Sequence, residues 1–146
     1  MLAPSKTLVV DAAILIAAVI GRGAGALMEA GEDTSLVTTD RVLEEAAGRL
    51  ELGMGRPDLL EKLTALTSTF TVVPVSRIAH HLPAGELCLR EAVASRNGST
   101  RDAHVLALAW EADADIWTTD RNFAGAGVAT WSTPNLMRAL IKAQAA

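Results

Sequence analysis

The chain has 146 residues, of which half are hydrophobic and 21% are charged. This balance excludes a disordered chain and predicts one globular domain over residues 1–146. The formal net charge of −4 counts against a protein that binds nucleic acid by charge alone. The single cysteine, Cys88, excludes an internal disulfide, is expected in the core, and fits a reducing, cytoplasmic location.

The N-terminal region carries a weak resemblance to a secretory signal. Lys6 precedes an apolar run over Ala12–Ile20, and Ala24-Gly25-Ala26 resembles a cleavage site. Asp11 interrupts that pattern, and the β-branched pair before it favours a strand followed by a helix instead. No apolar run approaches the roughly 20 residues that a membrane span needs, so no membrane association is expected.

Short β-rich runs alternate with longer helical runs along the chain, which is typical of a parallel sheet flanked by helices. Strands are expected at Thr7–Asp11, Ser35–Thr38, Thr71–Val75, Asp115–Thr118 and Val128–Trp131. Helices are expected at Ala13–Ile20, Ala24–Ala30, Arg41–Leu50, Leu59–Ser68, Gly85–Ser95, Asp102–Ala112 and Pro134–Lys142. The predicted fold class is α/β, a three-layer α/β/α sandwich with a central parallel sheet of about five strands.

Three aspartates fall at predicted strand ends or helix starts. Asp11 ends the first strand, Asp102 opens an alanine- and leucine-rich helix, and Asp120 follows the fourth strand. Each also has a simpler explanation as a helix cap or turn residue, where aspartate is favoured. Because the carboxyl ends of parallel strands share one edge of a sheet, the three carboxylates are expected to converge in one crevice.

A fourth acid is expected from the helix over Arg41–Leu50, which carries Glu44 and Glu45. Both glutamates lie about equally far from the centre of the apolar face, so periodicity does not choose between them. A solvated helix surface is the alternative for both. Thr118, two residues before Asp120, is expected to orient a metal-bound carboxylate or water by hydrogen bonding.

Clustered carboxylates repel one another, and two unit charges 4 Å apart cost about 4 kcal/mol at an effective dielectric constant of 20. A bound cation or raised pKa values must relieve that repulsion. Ligands that are all oxygen suit Mg²⁺ or Mn²⁺ rather than Zn²⁺. A hard divalent cation in turn indicates phosphate chemistry.

Three segments of the chain carry a family pattern. The opening LVVDAAILIAAVIG pairs a strand with an acid, and TTDRVLEEAAGRL is a helix in which Val42-Leu43 precedes the two glutamates. The most specific segment, RDAHVLALAWEADADIWTTDRNF, has an acid, a small-residue helix, a strand and then Thr-x-Asp-x-x-Phe. Nearly end to end, the chain resembles the PIN-domain ribonucleases, the family that includes the VapC-type toxins of bacterial toxin–antitoxin pairs. In that family the acid of the second segment stands after such an apolar pair with one residue between them, so the resemblance favours Glu45.

The resemblance implies a metal-dependent endoribonuclease, in which one or two Mg²⁺ or Mn²⁺ ions activate a water for in-line attack on an RNA phosphodiester. It also implies a homodimer and, for a toxin, a small antitoxin that places a basic residue near the acids. Some members carry a further acid where this chain has Asn122, so Asn122 and Thr118 are given supporting roles and the second metal is left open. The implied catalytic and metal-binding residues are Asp11, Glu45, Asp102 and Asp120.

Other polar and aromatic residues have weaker claims to a functional role. Arginine forks bind phosphate well, and Arg22, Arg96, Arg101 and Arg121 flank the acids in sequence as candidates for RNA contacts. The three histidines are expected to be structural, with His80-His81 in a loop, because no second His or Cys lies at metal spacing from His104. Core positions are expected for Trp110, Trp117 and Trp131.

Competing functions fit the residues less well. A phosphatase of the haloacid-dehalogenase type needs Asp-x-Asp-x-Thr. If Asp11 is the first aspartate, Ala13 stands in place of the second aspartate and Leu15 in place of the threonine. A receiver domain would need a lysine after a late strand, which this chain lacks. The non-enzyme alternative is a catalytically weak PIN-like scaffold that binds RNA or protein. Asn122 and the acidic charge leave that option open, and the four intact acids argue against it.

Overall fold

A five-stranded parallel sheet forms the centre of the computed structural model, which describes residues 3–91 and 100–145. The strand order is β3-β2-β1-β4-β5, and every neighbouring pair is parallel. The strands are β1 (Thr7–Val10), β2 (Ser35–Thr39), β3 (Thr71–Val73), β4 (Asp115–Trp117) and β5 (Thr130–Trp131). The predicted α/β fold with a five-stranded parallel sheet is therefore confirmed.

Seven α-helices accompany the sheet within the described residues, as the sequence predicts. They are α1 (Ala12–Val19), α2 (Ala24–Asp33), α3 (Asp40–Gly48), α4 (Leu60–Leu66), α5 (Leu82–Arg90), α6 (Ala103–Ala112) and α7 (Thr133–Ala145). A π-helical turn over Arg49–Gly53 extends α3, and short 3₁₀ helices lie at Pro57–Leu59, Val75–His81 and Arg121–Phe123. None of the described helices is long and apolar enough to cross a membrane.

The helices cover both faces of the sheet. Parallel β-α-β crossovers are right-handed. The connections from β1 to β2 and from β2 to β3 advance in the same direction across the sheet, so their helices lie on the same face. The chain then returns to β4 on the other side of β1, which puts α5 and α6 on the opposite face. On the first face α1 contacts α2, α3 and α4, whereas α6 lies along β1, β2 and β4. The result is the expected three-layer sandwich.

The core fills both faces of the sheet, and helix α6 is the most completely buried of its helices. Leu8, Val9 and Val10 of β1 are fully buried, as expected for a strand covered on both faces. Residues 103–109 of α6 are all buried, and several are alanine, so the helix backbone approaches the sheet closely. Because α6 packs so closely against the sheet, the position of its first residue, Ala103, is fixed. Asp102 directly precedes Ala103, so its position is fixed as well.

The strand order reverses direction at β1, whose two neighbours are β2 and β4. In open α/β sheets the connections after two such strands diverge, which leaves a crevice at their carboxyl ends. Asp11 directly follows β1, and Thr118 directly follows β4. The fold therefore brings the ends of the first and fourth strands to one crevice, as the sequence predicts.

A few local expectations differ from the structure. His80-His81 ends a 3₁₀ helix rather than forming a loop, because Pro83 is tolerated in the first turn of α5 and does not break the chain's helical path. Strand β3 stops before Pro74, which lacks the N–H that continued pairing would need. The helix predicted over Gly85–Ser95 is observed to Arg90, and its last part lies outside the described residues.

Candidate active site

Asp11 is held at the carboxyl end of β1 by two hydrogen bonds. Its carboxylate accepts the backbone N–H of Ala12 at 2.8 Å, which caps helix α1, and the hydroxyl of Thr118 at 2.7 Å. Only 6% of the residue is exposed. The cap explains the first bond, whereas the second comes from the neighbouring strand and fixes the carboxylate against β4.

Thr118 connects two of the predicted acids. In the register of β1 and β4, Val10 pairs with Trp117, so the next residues, Asp11 and Thr118, lie side by side. The Thr118 hydroxyl donates to Asp11 Oδ2 and accepts the backbone N–H of Asp120 at 2.9 Å. One buried hydroxyl therefore sets the position of Asp120 relative to Asp11.

Asp120 is further constrained by Asn122. Its Oδ1 accepts the backbone N–H of Asn122 at 3.0 Å, and its Oδ2 accepts the Asn122 side-chain amide at 3.2 Å. These bonds cap the 3₁₀ helix Arg121–Phe123, as the simpler explanation expects. The amide at position 122 therefore orients Asp120 and adds no negative charge to the crevice.

Asp102 and Glu45 complete the set from two helices. Asp102 precedes α6 but, within the described residues, its side chain makes no capping hydrogen bond to that helix. Glu45 lies on α3 and forms an ion pair with Arg49, one turn later, at 3.2 Å. Glu44 faces a different surface, which it shares with Asp40 and Arg41. The geometry thus separates the two glutamates, which periodicity could not do.

The four acids line one cavity of about 420 Å³. Its remaining walls include the N-terminal turn of α1, the loop residue Thr119 and the Asn122 side chain, with two arginines at the margin. The predicted residues that the structure brings together here are Asp11, Glu45, Arg101, Asp102, Asp120 and Asn122. Thr118 is buried directly beneath them.

Burial and mutual repulsion perturb the acids of this cavity. Desolvation raises the pKa of Asp11, against the opposing effect of its hydrogen bonds from Thr118 and Ala12. Burial, followed by the negative charges of Asp11, Glu45 and Asp120, raises the pKa of Asp102 to about 6. The cavity therefore disfavours its own negative charge, which a cation would relieve.

The donor set suits a hard cation. All four acids offer oxygen ligands, which Mg²⁺ and Mn²⁺ prefer, and nearby nitrogen or sulfur ligands are missing from the cavity lining that the structure describes. No three of these carboxylates bring oxygens within 4.8 Å of one another in the described residues. Side-chain rotation would therefore be needed for three of these carboxylates to hold one ion.

Of the four arginines predicted to contact RNA, the structure places one in the cavity lining. Arg101 lines the cavity, whereas Arg121 is exposed and not part of its lining. Arg22 follows the far end of α1, roughly 12 Å along the helix axis from Asp11. Arg96 lies outside the described residues.

Arg49 is the charged residue of the cavity lining that was not predicted from the sequence. It lies four residues after Glu45, and its guanidinium pairs with that carboxylate and lowers the pKa of Asp11 through its charge. The i,i+4 spacing on one helix was the available signal, since residues four apart share a helix face.

The other singled-out residues have mainly structural surroundings. His104 is buried, its Nδ1 lies 2.9 Å from the Thr39 hydroxyl, and burial lowers its pKa to about 4. Trp117 is fully buried, whereas Trp110 and Trp131 are half-buried against the core. Cys88 also packs against the core but is only partly buried, because the outer face of α5 is exposed.

The chain resembles several solved structures in its fold. Solved structures that the chain resembles include a toxin–antitoxin complex from Klebsiella pneumoniae, with 19% identity, a TM-score of 0.65, and coverage of 86% of this chain and 97% of that one. The sarcin-ricin loop cleaving toxin VapC20 of Mycobacterium tuberculosis has 20% identity and a TM-score of 0.63, with 83% and 95% covered. PAE2754 from Pyrobaculum aerophilum has 18% identity and a TM-score of 0.60, with 92% and 96% covered.

These structural matches establish the fold, and the sequence itself establishes the family. No curated protein is a significant match to the chain in sequence. The sequence pattern of the PIN domain, however, matches residues 9–141, which include all four acids of the cavity. The chain therefore belongs to the PIN-domain family.

Proposed function

We propose that this protein is a metal-dependent endoribonuclease that hydrolyses RNA phosphodiester bonds in the cavity at the ends of β1 and β4. The observation that carries the proposal is the convergence of four carboxylates, from four separate segments of the chain, in one cavity that raises the pKa of Asp102. A fold tolerates such repulsion when a cation offsets it in the working protein.

The proposed cofactor is Mg²⁺ or Mn²⁺, and the residues that would hold it are Asp11, Glu45, Asp102 and Asp120. When bound, such an ion lowers the pKa of a coordinated water and stabilises negative charge on phosphate oxygens. Asn122 hydrogen-bonds to both oxygens of the Asp120 carboxylate, which orients that carboxylate toward the ion and leaves lone pairs on each oxygen to bind it.

The chain's own residues supply position and charge. Thr118 keeps Asp11 and Asp120 at a fixed separation, which preorganises the acids before RNA arrives. Arg49 and Arg101 border the cavity, where a guanidinium can bind a phosphate through two parallel hydrogen bonds. These two arginines place positive charge beside the proposed RNA site, although the protein as a whole has a net charge of −4.

We further propose that the protein is the toxin of a toxin–antitoxin pair and acts in the cytoplasm as a homodimer. Two of the structural neighbours are a toxin–antitoxin complex and a toxin that cleaves the sarcin-ricin loop. A small antitoxin would inhibit by placing a basic residue among the four acids. Tagged protein purified from its native host should carry a small partner, and recovery of the chain alone would count against an antitoxin.

The decisive experiment compares two neighbouring glutamates. Purified wild type, Asp11→Asn, Glu45→Gln and Glu44→Gln are incubated with single-stranded and structured RNA, in Mg²⁺, in Mn²⁺ and in EDTA. Wild type should cut RNA only with metal. Glu44→Gln should behave as wild type does, because Glu44 lies outside the cavity. Asp11→Asn and Glu45→Gln should lose more than the roughly 10–100-fold that removing an outer hydrogen-bonding partner costs.

The same assay separates the nuclease from a binding scaffold. Cutting that is equal in wild type and Glu45→Gln would contradict the assignment of the cavity. RNA bound tightly by wild type but left intact in every metal would favour a scaffold, in which the Asn122 amide has replaced a needed charge.

A further inference from the structure

The strongest feature outside the cavity is a cluster of two imidazoles and a carboxylate, formed by His80, His81 and Glu111. His80 and His81 end the 3₁₀ helix Val75–His81, and Glu111 lies near the end of α6. Glu111 is about nine residues along α6 from Asp102, which is roughly 13 Å of helix, so the cluster is separate from the four acids.

Both imidazoles point a ring nitrogen at the same carboxylate oxygen. His81 Nε2 lies 2.8 Å from Glu111 Oε2, and His80 Nε2 lies 3.4 Å from it. One ligand atom from each of the three residues lies within 4.8 Å of the other two. In tetrahedral zinc sites with Zn–N bonds of 2.0–2.1 Å, neighbouring ligand atoms are about 3.3 Å apart, which is close to this spacing.

We propose that His80, His81 and Glu111 form a surface site for Zn²⁺. Two imidazoles and one carboxylate are the ligands of known three-residue zinc sites, and they suit Zn²⁺ rather than Mg²⁺. The fourth tetrahedral position faces solvent, because the side chains of His80 and Glu111 are 61% and 49% exposed. That position is open to water or to another ligand.

Bound zinc would join two segments that are distant in sequence. Here Zn²⁺ would replace a hydrogen bond and an ion pair that already hold the 3₁₀ helix to α6. Little rearrangement is needed, since the Glu111 charge lowers the energy of a cation beside it and the histidine rings are already in contact, with centroids 4.2 Å apart. An ion that binds only the folded chain raises its stability.

The test is calorimetric titration of Zn²⁺ into the full chain at about pH 7.5, where an unperturbed imidazole is neutral. Excess Mg²⁺ is present throughout to compete for the four acids. Wild type should bind one Zn²⁺ per chain at this cluster, and His80→Gln and Glu111→Gln should each weaken binding at least roughly tenfold. Glu61→Gln, which removes an exposed glutamate from α4, should bind as wild type does.

Two results would overturn the proposal. The first is an absence of zinc binding by wild type, and the second is equal zinc affinity in wild type and Glu111→Gln, which would place the ion elsewhere. An independent readout uses Cu²⁺, which favours the same ligands and quenches nearby tryptophan. The His81 ring lies 6.2 Å from that of Trp110, so Cu²⁺ should quench wild type, and the quenching should be lost in Glu111→Gln.

Discussion

The Thr118 hydroxyl is the group on which the relative positions of Asp11 and Asp120 depend. It is buried, it donates to Asp11 and it accepts the backbone N–H of Asp120. Valine has nearly the shape of threonine but lacks the hydroxyl, which makes it the sharpest probe of this arrangement.

We expect Thr118→Val to reduce RNA cleavage by roughly 10–100-fold, the usual effect of removing a hydrogen bond that orients a metal ligand. The pKa of Asp11 should rise further, because the lost hydrogen bond lowers it. Thr118→Ser keeps the hydroxyl and should retain most of the activity. Steady-state cleavage rates of the three proteins check this, and equal rates for valine and serine would show that the hydroxyl has no role.

Asp102 and His104 make opposite contributions to the pH dependence of stability. The pKa of Asp102 rises from 3.8 to about 6 on folding, so the folded state binds this proton more tightly and is stabilised as the pH falls through 6. The pKa of His104 falls from 6.5 to about 4, so the folded state is destabilised as the pH falls below 6.5. In the wild type the two effects overlap.

Comparison with Asp102→Asn isolates the aspartate. Without metal, the stability of wild type relative to Asp102→Asn should increase as the pH is lowered from 7.5 to 4.5, by roughly 1–2 kcal/mol after screening by solvent. The His104 contribution is present in both proteins and cancels. Urea denaturation at several pH values measures the difference, and a difference that does not change with pH would show that Asp102 has an ordinary pKa.

Among the structural elements, helix α3 matters most to the site because it carries Glu45. The π-helical turn that extends α3 begins with Arg49, which lies one turn after Glu45 and forms an ion pair with it. The Thr39 hydroxyl caps this helix by accepting the Val42 N–H at 3.0 Å, and it also lies 2.9 Å from His104 Nδ1. A neutral imidazole with its proton on Nε2 lets that hydroxyl donate to Nδ1. Thr39 thus ties α3 to α6, the two helices that bring Glu45 and Asp102 to the cavity.

Thr39→Val should destabilise the protein by roughly 2–3 kcal/mol, since it removes a helix cap and leaves His104 without its buried partner. Thr64→Val is the matched control, because the Thr64 hydroxyl is exposed and donates to the Leu60 carbonyl within α4. Urea denaturation of both variants measures the effect. If the two variants unfolded at the same denaturant concentration, the link between α3 and α6 would contribute nothing.

At the level of elements, the sequence was most informative where apolar runs were clear and where glycine or proline marked the end of a helix or strand. The order of strands and helices follows from apolar runs separated by glycine and proline, and it is confirmed. The π-helical turn after α3 and the 3₁₀ helix over Val75–His81 have no distinctive period, so they were not predicted. The side of α3 that Glu45 faces depends on packing against α1, which no single-helix pattern contains.

For the whole molecule, the reversal of strand order at β1 explains why residues far apart in sequence converge. Asp11 and Asp120 were predictable from strand ends, because any parallel sheet brings those ends to one edge. Arg49 and the zinc-type cluster at His80 were not, since each requires knowing which helix faces which. The sequence therefore predicts which acids converge on one cavity, but neither the Arg49 side chain beside them nor the separate cluster at His80.

Cation binding should be visible in the stability of the whole molecule. Four carboxylates in one cavity destabilise the metal-free fold, and an ion that binds only the folded state adds stability by mass action. At about ten times its dissociation constant, Mg²⁺ should add roughly 1.4 kcal/mol, which raises the melting temperature by about 4–5 °C in a domain of this size. Thermal unfolding with and without Mg²⁺, at matched ionic strength, measures this increase.

The neighbouring glutamates again provide the control, because the two substitutions differ in what they remove. Glu45→Gln removes both the repulsion between Glu45 and Asp102 and the ion pair with Arg49, so the stability of the metal-free protein should change little, yet it should lose most of the increase produced by Mg²⁺. Glu44→Gln should leave both quantities as in wild type, because Glu44 faces another surface. Ordinary charge screening would affect the two variants alike. A loss of the response to Mg²⁺ in Glu45→Gln that Glu44→Gln does not share therefore requires an ion bound among the four acids.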